Sequence, residues 1–168
     1  MKKFFLMAAT ALMIAACGSN GGGNSTDNVE PIKDGVTIEN ENFSITVPQG
    51  MEESWNSMGT INATADNGFV RFAISYMEGG PTKSQLKTVG ENLKAMVHAM
   101  DQDAVIDEPK VEKNLVTLKS TSEGKQRIDF TYLKEDKVGV TGNFQFPEDK
   151  AAEWEDKFLP ILKSVVYK

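Results

Sequence analysis

Apolar and polar residues alternate through Phe43-Ser44-Ile45-Thr46-Val47, and the run stops at Pro48-Gln49-Gly50. A period of two belongs to a half-buried β-strand, and the proline and glycine that follow are turn formers. Residues 60–66 make a weaker strand that ends at Asn67-Gly68, a strong hairpin signal. Residues 69–77 are rich in strand formers and stop at Gly79-Gly80-Pro81. The period then changes. Thr82 and Gln85 have capping-box spacing, and Leu86, Val89, Leu93, Met96, Val97 and Met100 fall on one face of a helix. Three further strands are expected over residues 111–121, 126–134 and 138–146, with turns at Glu123-Gly124 and Glu135-Asp136. A closing helix starts at Pro147, whose fixed φ suits a first helical position, and Glu148 and Asp149 suit the positive helix end. Ala151, Trp154, Phe158, Ile161, Leu162 and Val165 share its apolar face, and Pro160 is expected to bend it.

Strands joined by tight turns pair antiparallel, and a helix with one apolar stripe needs a sheet face to lie on. The expected fold is α+β, a twisted antiparallel sheet of about six to seven strands packed with two helices. Gly139 and Gly142 interrupt the last strand, which marks a bulge or a close backbone approach, most simply beneath a packed helix.

The first residues follow another pattern. Lys2 and Lys3 precede thirteen uncharged, mostly apolar residues, 4–16, and the run Ile14-Ala15-Ala16-Cys17 closes them. A basic start, a short apolar stretch and small residues before a cut site make a secretory signal peptide. An uncleaved membrane helix needs ~20 apolar residues, more than are present. The ending is similar to the lipobox of bacterial lipoproteins. That resemblance implies cleavage between Ala16 and Cys17, diacylglycerol on the Cys17 sulfur and an acylated new amine. It implies a lipid-anchored envelope protein, expected on the outer membrane facing the periplasm, with exposure at the cell surface left open. Two or more acyl chains hold a protein on a membrane stably.

Residues 18–28 are polar and glycine-rich, with no apolar side chain. They are expected to be part of a flexible tether over residues 17–35, ahead of a single domain over 36–168. The span from Gly18 to Gly35 is roughly 23 Å by random-coil scaling. Without Lys2 and Lys3, 16 of the 18 basic residues remain against 24 acidic ones, a net charge near −8. That balance argues against nucleic acid and against attraction to anionic lipid. Cys17 is the one cysteine. If lipid occupies it, the domain has no disulfide, thiol nucleophile or thiolate metal site, and its 40% hydrophobic residues must hold it together.

The segment Asn42-Phe43-Ser44-Ile45-Thr46-Val47-Pro48-Gln49-Gly50-Met51 and the closing Leu162-Lys163-Ser164-Val165-Val166, together with the order of elements between them, resemble the PsbP-like superfamily. Its members often open on Phe-x-Ile-x-x-Pro-x-Gly-aromatic, where this chain has Met51 in place of the aromatic. The resemblance covers residues 36–168 and implies the α+β fold. It implies partner binding without chemistry and transfers no catalytic residue.

His98, the one histidine, falls with Lys87, Glu91 and Lys94 on the polar side of its helix, where a solvated side chain is the ordinary outcome. A serine triad would have only His98 to use, and no Gly-x-Ser-x-Gly turn is present. The acidic stretch 101–112 places Asp101, Asp103, Asp107 and Glu112 at calcium-loop positions, but Val105 and Ile106 stand where an EF-hand needs a ligand and a glycine. A solvated connection is the plain alternative. Trp154 lies on the apolar face of its helix. Trp55 follows Glu52-Glu53-Ser54 in a polar segment and is a candidate binding anchor, with edge-strand packing as the alternative.

These observations assign no catalytic residue, metal ligand or cofactor. They favour a monomeric, membrane-anchored, non-catalytic module that binds a protein partner. A second class is a carrier of a small apolar ligand in a sheet-helix pocket lined by residues such as Phe72, Met96 and Phe144. A hydrolase is the least supported class. A deep pocket would favour the carrier, and an exposed face near Trp55 the module.

Overall fold

The computed structural model describes residues 29–168. The signal segment, Ala16, Cys17 and the tether through residue 28 lie outside the described residues. In chain order the elements are β1 (Val36–Glu39), β2 (Phe43–Val47), β3 (Glu52–Ser57), β4 (Thr60–Ala65), β5 (Val70–Glu78), α1 (Leu86–Met100), β6 (Val105–Ile106), β7 (Lys110–Glu112), β8 (Leu115–Ser122), β9 (Lys125–Glu135), β10 (Val138–Pro147), α2 (Ala151–Lys163) and β11 (Val166–Tyr167). The fold is α+β.

The sheet is larger than expected, and there are two of them. The main sheet has eight strands, in the order β3-β4-β5-β10-β9-β8-β6, with β7 also paired to β8. A three-stranded sheet has the order β1-β2-β11. All pairings are antiparallel. The strand expected over 111–121 is split. Lys113, at φ 52°, and Asn114 make a turn, so β7 folds back on the start of β8.

The two helices lie on opposite faces of the main sheet. On one face α2 buries Trp154, Phe158, Ile161 and Leu162. They meet Phe72, Phe130, Phe144 and Phe146 from the main sheet and Phe43, Ile45 and Val47 from β2. Aromatic pairs knit this core: Phe130–Phe158 at 5.2 Å and Phe144–Trp154 at 6.2 Å between ring centroids, both edge-on. On the other face Leu86 of α1 packs with Val116 and Leu133 in a smaller cluster. Val116 follows Leu115, which faces α2, so successive residues of β8 serve the two helices. Pro160 stands inside α2, which continues to Lys163.

The capping box at Thr82 forms. The Thr82 N–H donates to Gln85 Oε1 at 2.9 Å, on a short 3-10 turn that leads into α1. Part of the expected tether packs, since Ile32 lies against the main core.

Gly139 and Gly142 sit in tight places, but no helix is the cause. A Cβ on Gly142 would stand 2.0 Å from the Ala73 carbonyl oxygen of β5, and one on Gly139 would stand 2.2 Å from the Tyr132 carbonyl oxygen of β9. The neighbouring strands themselves come close, and the β9–β10 ladder shifts register between Val138 and Gly139.

The three tyrosines gather where β11 meets the core. Tyr167 packs edge-on against Tyr76 at 6.4 Å, and its hydroxyl is buried with no partner among the described residues. Burial, reinforced by Tyr132 and Tyr76, pushes its phenol up to about 12. The folded state therefore keeps a proton that the unfolded chain gives up near pH 10. Stability should fall as pH rises from about 10 to 12. Tyr167→Phe removes an unsatisfied hydroxyl, so denaturant midpoints should be unchanged or slightly higher at pH 7. The variant should also lose less stability than the native protein between pH 9 and 12. An equal loss in both would remove Tyr167 as the cause.

Candidate binding face

The main sheet has one face under α2 and one that α1 covers in part. α1 packs on β6, β7, β8 and β9. Beyond it, most outer residues of β10, β5 and β4 are half-exposed and small or polar, and Arg71 is exposed. The register sets them in rows. Thr60, Ser75, Thr141 and Thr131 stand directly opposite one another across four strands. Thr60 Oγ1 is 2.8 Å from Ser75 Oγ, and Thr131 Oγ1 is 3.1 Å from Thr141 Oγ1. The next row runs Trp55, Asn62, Ala73, Asn143, Asp129 and Leu118. The third runs Thr64, Arg71, Gln145, Arg127 and Ser120. The result is a hydroxyl- and amide-bearing floor, with α1 as a wall on one side and Trp55 at the other edge.

Trp55 is 49% exposed. Its strand, β3, closes the sheet, and the ladder with β4 shifts between Glu53 and Trp55. The shift sets Trp55 opposite Asn62, on the outer face. Glu52, Glu53 and the bulge also guard this edge against pairing with another chain. Met58, 90% exposed, projects from the β3–β4 turn.

One carboxylate on this face is buried. Asp129 is 2% exposed and takes a two-pronged bond from Arg127, Nε to Oδ2 at 2.8 Å and Nη2 to Oδ1 at 2.6 Å. Excellent geometry is what lets a charge survive such burial. Beside this pair, under the end of α1, lies a cavity of about 180 Å³ lined by Val97, Met100, Asp101, Ala104, Ser120, Ser122, Lys125 and Arg127. The Ser122 hydroxyl and two backbone N–H groups hold the Asp101 carboxyl below the usual carboxylate range.

A larger groove, about 790 Å³, runs on the other face between α2 and β7–β8. Leu115, Ile128, Phe158 and Leu159 form its floor, and a Lys119–Glu155 ion pair bridges it from β8 to α2.

The side chains singled out for an apolar ligand are not brought together. Phe72 and Phe144 touch at 5.5 Å inside the filled core, whereas Met96 is 43% exposed on α1, across the sheet. Trp154 is buried. His98 is exposed on α1. The acidic stretch is not one loop, because β6 and β7 pair with β8 within it. Among the described residues, no group of three or more histidine, cysteine and carboxylate side chains is placed to hold a metal ion. No helix among them is long and apolar enough to cross a membrane.

Ser120, Arg127 and Asp129 carry no motif. The signal was a charged pair spaced i, i+2 within the strand expected over 126–134, which sets both on one face.

No family model and no curated protein matches this chain. Among solved structures, a crystal structure of a protein from Bacteroides thetaiotaomicron VPI-5482 aligns with 75% of this chain, with 13% sequence identity and a TM-score of 0.40. The match takes in 45% of that protein, so the chain spans less than half of its length.

Proposed function

We propose that this protein is a membrane-tethered, non-catalytic binding module of the bacterial cell envelope, built on a PsbP-like domain that meets a protein partner through the outer face of its main sheet. One observation carries the binding part: an uncovered polar face ending in Trp55, an aromatic that costs water-exposed apolar area unless something covers it. A carrier of apolar ligands is less favoured, because Phe72 and Phe144 lie in a filled core.

The two segments that carry the superfamily resemblance lie against each other, which supports it. β11 pairs with β2, setting Val166 opposite Ser44 and Tyr167 opposite Phe43. The Ser164 hydroxyl accepts the Thr46 N–H at 2.7 Å and reaches the Ile161 carbonyl at 2.7 Å. A serine at this place ties β2 to the end of the closing helix. Met51, where an aromatic is usual, is buried at 1% exposure, so a large apolar side chain there fills core.

Anchoring rests on the Cys17 lipobox. Cys17→Ser is expected to abolish fatty-acid labelling and to leave the signal peptide uncut. Labelling that persists in the variant, or is absent in the native protein, would contradict the anchor. The binding part predicts that Trp55→Ala leaves the melting temperature within about 2 °C of native, as surface changes do, and reduces recovery of the partner.

A further inference from the structure

The cavity at the end of α1 has an uncommon set of walls. Lys125 and Arg127 bring positive charge to its lining. Asp101 brings negative charge, its carboxyl held ionised by the Ser122 hydroxyl and two backbone N–H groups. Val97, Met100 and Ala104 add apolar surface. Ser120 is 6% exposed and lines the cavity. Arg127 spends Nε and Nη2 on Asp129, which leaves Nη1 for a ligand.

We propose that this cavity binds a small zwitterion of the α-amino acid class. Charge balance decides against a simple anion. Lys125 and Arg127 are already matched by Asp101 and Asp129, so a lone anion would leave the site with excess negative charge. A ligand with separated, opposite charges adds none. Its carboxylate meets Arg127 Nη1, Lys125 and the Ser120 hydroxyl. Its ammonium meets Asp101. A short aliphatic side chain lies on Val97, Met100 and Ala104. About 180 Å³ is room for roughly six water volumes, which suits a small aliphatic amino acid. Met100 lines the cavity and is 61% exposed, and its unbranched flexible side chain can fit ligands of different shape.

The test is titration of the purified full chain with L-valine, followed by NMR shifts of the Val97, Ser120, Ser122 and Arg127 backbone amides. L-Valinamide, which lacks the carboxylate, and N-acetyl-L-valine, which lacks the ammonium, are the comparison probes. L-Valine is expected to saturate these shifts with a Kd of about 1 mM, and each comparison probe to bind at least about tenfold more weakly. Lys125→Met and Asp101→Asn should each weaken L-valine about fivefold or more while thermal melting stays near native, since neither side chain is core. Equal binding of N-acetyl-L-valine would overturn the proposal in favour of an anion site. Shifts that do not saturate below about 50 mM would overturn the site altogether. Loss of the site leaves the Trp55 face untouched, because recovery of the partner is a separate readout.

Discussion

Gly142→Ala is expected to destabilise this domain severely for a change of one methyl group. The added Cβ would lie 2.0 Å from the Ala73 carbonyl oxygen and 3.0 Å from the Ile74 Cα, both backbone atoms of a central strand that cannot swing aside. Gly142 also faces the aromatic core. It stands opposite Phe130 on one side and Ile74 on the other, and Phe72 and Phe130 stack at 5.8 Å although β10 runs between their strands. With no side chain on Gly142, the two rings can meet over that position. Overpacking a filled core costs ~1–3 kcal/mol, and a backbone clash in the middle of the sheet places this change at about 3 kcal/mol or beyond. Gly124→Ala is the control. It lies in the β8–β9 turn at φ 71° with open space around it, so only the left-handed backbone penalty of ~1–2 kcal/mol applies. Urea denaturation of both variants checks the difference, and similar losses would show that β5 and β10 can move apart.

The second large effect belongs to α2. Phe158 is 4% exposed and packs edge-on to Phe130 and parallel to Phe144. Phe158→Ala should cost ~3–5 kcal/mol, a transfer term plus the cavity left among rings that cannot collapse inward. That lowers the melting temperature by roughly 10 °C in a domain of this size. Lys157→Ala, one residue away, should cost about 0.5–1 kcal/mol. Its ammonium lies 4.0 Å from the centre of the Trp154 ring and 3.1 Å from Glu153 Oε1, so its loss is felt but small. If Phe158→Ala melts like the native protein, the stripe on α2 is not core and the packing of α2 on the sheet is wrong.

The strong alternation at Phe43–Val47 and the helical stripe of α2 were legible because each element buries one face. β3 was not legible. It is exposed at Glu52, Glu53, Ser54 and Trp55 alike, so it has no period, and only pairing with β4 makes it a strand. β6, β7 and β11 have two or three residues each, too few to show a period. The six-residue apolar stripe of α1 read as a full core face, but Met96 and Met100 are exposed. α1 covers one end of the sheet, and beneath its last turn lies a cavity rather than packed side chains. That the helices take opposite faces is written in β8, where Leu115 and Val116 are adjacent and both buried. Adjacent buried residues in a strand mean two covered faces. The candidate face was legible only at Trp55, since its other members are polar strand residues whose rows appear once register is known.

The claim that the outer face meets a protein partner is tested most directly by photo-crosslinking in the protein's own membrane. A benzophenone amino acid replaces Trp55 in one variant and Lys157 in another. Trp55 marks the outer face, and Lys157 lies on α2, across the sheet. A discrete crosslinked adduct from position 55, and none from position 157, is the predicted result. An adduct from 157 but not 55, equal adducts from both, or none from either would contradict it.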